Sequence, residues 1–162
     1  MGSIGAMEVR FSVSLTREPR SVPLARRLCG LTLSTLGCDP ECVRDIKLAV
    51  TEACSNVIEH AHSSERYELE FSVEGDLCKM RIIDAGTGFK PAVNGGPPPS
   101  PAAENGRGLH LIGQLVDEAT FDSAPERGTV VRMVKRLNLI DDAAQGPARK
   151  AADGHIAASP EG

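Results

Sequence analysis

Between residues 84 and 107 the chain cannot continue either kind of regular element. Gly86, Gly88, Gly95 and Gly96 stand there among Pro91, Pro97, Pro98, Pro99 and Pro101. Proline removes a backbone donor and fixes φ, so neither a helix nor a central strand survives such a run. Any fold must therefore be assembled from short elements on either side of a long irregular segment. Ahead of it, residues 8–16 alternate apolar and polar, which predicts a half-buried strand. Residues 22–36 carry apolar side chains at helical spacing, with Ser21 expected as the cap and Gly37 as the stop. Asp39 is expected to cap a second helix with Pro40 in its first position. Val43, Ile46, Ala49, Val50, Ala53, Val57 and Ile58 carry that helix to about His62. Residues 67–73 and 77–83 flank Glu74-Gly75-Asp76 and predict a hairpin. Beyond the irregular run, helical spacing returns over residues 109–116. A second hairpin is expected from residues 120–123 and 129–137.

The order strand, helix, helix, strand, strand, helix, strand, strand predicts an α+β fold. It is a two-layer α/β sandwich, a mostly antiparallel sheet covered on one face by helices. The domain is expected to span residues 7–137. Residues 138–162 are rich in Ala, Gly and Pro with scattered charge and are expected to form a disordered tail. Aromatics make up only 3% of the 162 residues, so the core must come from Leu, Val, Ile and Ala. The net charge of -4 offers no basic footprint for nucleic acid, and there is no aromatic stacking surface. No apolar run reaches the ~18 residues of a membrane span. Residues 1–6 lack the apolar core of a secretory signal, so the expected place is the cytoplasm. The five cysteines are odd in number and irregularly spaced. Cys38 and Cys42 stand four apart with no second pair to complete a zinc site, and all five read as reduced structural thiols.

Three segments carry polar chemistry. In the long helix, Glu52 and Asn56 are four apart and share one face. An amide oxygen suits Mg²⁺, and a carboxylate about 6 Å back along the axis is placed to take a proton. The same spacing also suits an ordinary polar pair on a solvated face. The second segment, Asp84-Ala-Gly86-Thr-Gly88, follows a strand. Its glycines let backbone approach a ligand closely, and its acid can accept from an exocyclic amine, or it is a tight turn capped by Asp. The third, Gly106-Arg107-Gly108-Leu109, opens a helix whose first amides can bind phosphate, with Arg107 as a charge-assisted contact. It is neither a Walker loop nor a dinucleotide fingerprint. His60 lies one turn past Asn56 and either reaches a phosphate or is structural. Arg26, Arg27 and Arg44 read as solvated helix faces or parts of a partner surface.

Taken in order, the three segments resemble the nucleotide-binding boxes of the Bergerat-type ATP-binding fold. Val50-Thr-Glu52-Ala-Cys-Ser-Asn56-Val-Ile-Glu-His60-Ala and Gly106-Arg-Gly-Leu-His-Leu-Ile112 further resemble the bacterial anti-sigma factor serine/threonine kinases. The resemblance implies that Asn56 binds Mg²⁺, Asp84 binds adenine and Glu52 is the catalytic base. Gly86, Gly88, Gly106, Arg107, Gly108 and Leu109 would complete the ATP site. Thr129 looks like the Thr that helps hold adenine, and residues 90–105 would form a lid over the phosphates.

Glu52 bears on the acceptor. A neutral histidine is already nucleophilic, whereas a serine hydroxyl benefits from a base placed to take its proton. The resemblance therefore implies an anti-sigma regulatory protein that sequesters a sigma factor. It would phosphorylate a serine or threonine of a small anti-anti-sigma antagonist, with homodimerisation also implied. The alternative is a non-enzymatic ATP-binding module that acts by sequestration alone.

Overall fold

The computed structural model describes residues 7–60, 65–84, 105–124 and 128–140. Eight elements follow one another: β1 (Glu8–Thr16), α1 (Ser21–Thr35), α2 (Pro40–His60), β2 (Arg66–Glu74), β3 (Leu77–Asp84), α3 (Asn105–Leu115), β4 (Glu118–Ala124) and β5 (Gly128–Arg136). The five strands form one sheet in the order β1-β2-β3-β5-β4, with every neighbouring pair antiparallel. The expected two-layer α+β architecture is the one observed.

Strand alternation decides the two faces. Tyr67, Leu69, Phe71 and Val73 of β2 are buried, as are Cys78, Met80 and Ile82 of β3 and Val131 and Met133 of β5. The helices supply Ala25, Cys29 and Leu33 from α1, Ile46, Val50, Ala53 and Val57 from α2, and Ile112 from α3 to the same core. Enclosing each large aliphatic side chain contributes roughly 1.5–3 kcal/mol, so this seam holds the two layers together. The opposite sheet face is a lattice of exposed ion pairs, including Arg81–Glu70 at 2.7 Å, Arg136–Asp76 at 2.6 Å and Arg132–Asp122. Such exposed pairs contribute ~1 kcal/mol or less each, so that face keeps the sheet soluble more than it stabilises it.

Local chemistry sets the helix ends. Gly37 has φ +78°; its N–H donates to Ser34 O at 3.1 Å, and Cys38 N–H donates to Leu33 O at 3.0 Å. This left-handed closure satisfies carbonyls that the end of α1 would otherwise leave open. Asp39 caps α2 as expected: its Oδ2 accepts from the amides of Glu41 and Cys42 at 3.1 and 3.3 Å. Ser21 does not cap α1. Arg20 holds the cap position without a side-chain bond, and Ser21 is already inside the helix. The Ser21 hydroxyl donates to Glu18 O at 2.8 Å and lies 2.7 Å from the Tyr67 hydroxyl. A buried phenol needs a partner more than the helix end needs a cap.

The chain past β5 does not leave the domain at once. Asp39 N–H donates to Asn138 O at 2.7 Å, Ile140 N–H donates to Gly37 O at 2.8 Å, and Cys38 bridges Leu139. The first residues of the expected tail are therefore tied to the α1–α2 corner. Residues 141–162 lie outside the described residues. Among the described residues no helix is long and apolar enough to cross a membrane.

Candidate functional site

On α2 the apolar face runs through Ala49, Ala53, Cys54 and Val57, all buried. Glu52 and Asn56 sit at the flank of that face and are half-buried. Their position follows from the helical period: a residue three before or after a core position lies at the edge of the stripe, partly shielded and still reachable.

The helix across from Asn56 is α3. Its first turn contains Gly106, Arg107 and Gly108, one residue after its start at Asn105 and four residues before the apolar spacing begins to show it. Gly108 touches the Asn56 carboxamide so closely that a β-carbon there would lie 3.0 Å from Nδ2 and 3.2 Å from Oδ1. A β-carbon there would have to displace the carboxamide by a few tenths of an ångström, so the start of α3 lies in direct contact with Asn56, at the helix end whose first amides lack intrahelical partners. Leu109 is partly buried against the core and fixes the helix in that position. The Arg107 side chain, the His60 side chain, Gly86, Gly88 and residues 90–104 of the expected lid lie outside the described residues. His110 is exposed, with its ring nitrogen 3.2 Å from Gln114 Nε2.

Asp84 ends β3 on the helix-facing side of the sheet and is 1% exposed. It stands directly opposite Thr129 in the β3–β5 register, and Thr129 is also buried. Thr129 Oγ1 donates to Ser123 Oγ at 3.2 Å. An acid and a hydroxyl thus face each other at one end of the sheet. Burying a carboxylate is expensive unless it is paired.

The pair comes from a residue that sequence reasoning did not single out. Arg17 Nη2 lies 2.9 Å from Asp84 Oδ2, and the Arg17 side chain is only 12% exposed. The contact is an ion pair without a well-aligned N–H, because Arg17 Nε and Nη2 have no hydrogen-bond acceptor in line. A faint signal existed. Arg17 follows Leu15 by two, so an extended chain carries it to the face on which Leu15 is buried.

Beside this end of the sheet, Tyr67 joins three elements. Its hydroxyl meets Ser21 of α1 and interacts electrostatically with the Cys54 thiol of α2. Burial pushes the Tyr67 phenol well above its ordinary range, so it stays a neutral strut. Cys54 stands two residues before Asn56 and is buried in the core.

No group of three or more His, Cys, Asp or Glu able to hold a metal exists among the described residues. A divalent ion carried by a nucleotide needs no such cage. Mg²⁺ keeps waters and substrate phosphate oxygens and takes one or two protein ligands, which a single Asn oxygen can provide. The cradle left free by Gly108 fits that arrangement.

Residues 15–135 match the histidine kinase-like ATPase domain. The serine-protein kinase RsbW of Bacillus velezensis is 31% identical over 139 residues, covering 79% of this chain and 86% of its own. The RsbW of Bacillus subtilis is 30% identical over the same coverage. That of Listeria innocua is 27% identical over 150 residues, covering 83% and 92%. Among solved structures, a chain holding the RsbU and RsbW domains of Rv1364c from Mycobacterium tuberculosis superposes with a TM-score of 0.62 at 20% identity. That match covers 80% of this chain and 32% of the solved one, and it speaks for the fold alone. Since the match runs from Leu15 near the end of strand β1 almost to the end of β5, and RsbW relatives align over most of their own length, the chain belongs to the histidine kinase-like ATPase family, among its RsbW-type serine-protein kinases.

Proposed function

We propose that this chain is a cytoplasmic anti-sigma regulator that binds Mg·ATP and phosphorylates a serine or threonine on a small antagonist protein. The observation that carries the reading is the Asn56 carboxamide seated on the first turn of α3, with Glu52 one turn back on the same flank of α2. The names of the RsbW relatives support the acceptor type.

Magnesium-bound ATP supplies the phosphoryl group and much of the charge neutralisation that transfer requires. Asn56 would hold the metal through its amide oxygen. The amides of Gly106, Arg107, Gly108 and Leu109 bind phosphate oxygens at the helix start. Asp84 accepts from the adenine amine, with Thr129 opposite. A guanine carbonyl at that place would face a second acceptor, so adenine is preferred. Gly86 and Gly88 let the following backbone lie against the base. Glu52 would take the proton from the attacking hydroxyl as the hydroxyl oxygen bonds to the γ-phosphorus and the bond to the β,γ-bridging oxygen breaks, releasing ADP. The added charge of about -1.5 to -2 expels the antagonist, which leaves the regulator free to hold a sigma factor. A homodimer is expected to be the working form.

The test uses protein recovered from native lysate with its partners, radiolabelled at the γ-phosphate of ATP. Label on a co-purifying small protein, as phosphoserine or phosphothreonine, is expected. Glu52→Ala should keep ATP affinity and lose transfer by about 10²–10⁴-fold, the usual share of a general base. Transfer at the unmodified rate by Glu52→Ala would remove the base assignment. Tight ATP binding with no labelled protein would favour the sequestration-only reading.

A further inference from the structure

Arg17 stands where β1 has ended and the chain turns toward α1. Its N–H donates to Glu65 O at 2.9 Å, which carries the β1–β2 pairing one step past Thr16 and Arg66. Glu18 N–H then closes back on Thr16 O at 2.8 Å. The backbone is thus held on both sides, and the side chain is what crosses to β3. It ends with Nη2 2.9 Å from Asp84 Oδ2, and both side chains are enclosed. An enclosed charge has lost its hydration, and a neighbouring opposite charge offsets that loss. Thr129, opposite Asp84 in the sheet, donates its hydroxyl proton to Ser123 instead. Arg17 Nε and Nη2 meet no acceptor in line. Bracing strands together does not call for an enclosed arginine, because Arg81–Glu70 and Arg132–Asp122 link neighbouring strands on the exposed face.

We propose that Arg17 is a positioning residue for nucleobase selection, holding Asp84 as a fixed carboxylate that reads the group at C6 of the purine. The proposal rests on the reading of Asp84 as the adenine acceptor. A carboxylate accepts hydrogen bonds and donates none. It pairs with the C6 amine of adenine and meets a C6 carbonyl as a second, repelling acceptor. Without the cation, the enclosed acid either takes up a proton or turns toward water. A protonated carboxyl donates as well as accepts, so a carbonyl is then tolerated. A carboxylate turned away reads neither base. Arg17 therefore acts on discrimination through Asp84, and the triphosphate contacts at the start of α3 do not depend on it.

The test is calorimetry on the full chain with the magnesium complexes of ATP and of inosine triphosphate, which carries a carbonyl at C6 where ATP carries the amine. The unmodified chain should prefer ATP by about 100-fold, and Arg17→Met should cut that preference to about 10-fold or less. Most of the change should be a loss of ATP affinity, with inosine triphosphate little affected. A purely structural role would weaken both nucleotides alike and leave their ratio unmoved. Arg17→Lys keeps the charge and should restore most of the ratio. Arg17→Met is also expected to be less stable, so a second measurement uses the unmodified chain. The Arg17 Nε–H resonance, assigned by its absence in Arg17→Lys, should shift when ATP is added and stay in place with inorganic triphosphate. An unmodified chain that binds both nucleotides equally would remove the adenine reading of Asp84, and this inference with it. Discrimination kept in full by Arg17→Met, or an Nε–H resonance blind to ATP, would overturn the inference alone.

Discussion

Arg17 and Asp84 form an ion pair of 2.9 Å that joins the end of β1 to the end of β3 across the width of β2. Neither side chain has more than marginal access to water. Removing one member of a buried pair leaves the other charge uncompensated, which costs more than the pair itself contributes. Arg17→Met should therefore lower the stability to urea by about 3 kcal/mol. Adding Asp84→Asn should cost less than the two single changes summed, with a coupling above ~1 kcal/mol. Strict additivity of the three unfolding energies would show that the contact carries no energy.

Gly108→Ala separates fold from ligand binding. Alanine improves helix propensity by about 1 kcal/mol, so α3 should not melt. Its new methyl, however, falls 3.0 Å from Asn56 Nδ2 and must move the carboxamide. The melting temperature should hold or rise slightly. ATP affinity by calorimetry should drop at least ~10-fold, a loss of about 1.4 kcal/mol. Unchanged affinity would mean that the Asn56 carboxamide can shift without consequence for the nucleotide.

The thiols of Cys29 and Cys54 predict an alkaline limit. Burial pushes both from 9.0 up to about 12. In the unfolded chain these groups ionise near 9, so above that pH the unfolded state has shed protons that the native state retains. Their contribution to stability is complete below pH 9 and drains away between about 9 and 12. The slope is about 1.4 kcal/mol per pH unit for each thiol. Urea midpoints taken at pH 8, 9 and 10 should fall over the last interval, and a Cys29→Ala, Cys54→Ala chain should fall less steeply. The native protein should also resist thiol reagents at pH 8, since the reactive form is the thiolate.

Asp39→Ala removes the only side-chain acceptor seen at the start of α2 among the described residues. A loss of about 1 kcal/mol in thermal or urea unfolding is expected, the ordinary worth of such a cap. Asp39→Asn should recover most of it. No loss in the alanine variant would mean that water replaces the carboxylate at no cost.

How much of this was legible beforehand depended on distance along the chain. β1 was readable to its exact ends, because alternation over 8–16 is a local pattern and the strand obeys it. Asp39-Pro40 was readable for the same reason. Ser21 misled because a serine ahead of an apolar repeat is the usual cap, whereas here its hydroxyl is claimed by Tyr67, 46 residues away. Arg17 gave only the faint signal of its spacing from Leu15, because its partner lies across two strand pairings. Asp84 and Thr129 were each named for their likeness to known boxes, and the sheet register then set them opposite one another. Gly108 was named as a phosphate contact, and its closeness to Asn56 emerged only from the packing of α3 on α2.

The fastening of Asn138 and Ile140 to the α1–α2 corner has a practical corollary. That corner lies sixteen residues before Asn56 on a continuous helix, about 24 Å along its axis at 1.5 Å per residue. A fluorophore, affinity handle or fused passenger attached beyond Ile140 departs from the pole opposite the carboxamide. Immobilisation through this terminus is thus the orientation in which a biosensor surface keeps the pole bearing Asn56 turned toward the flowing solution.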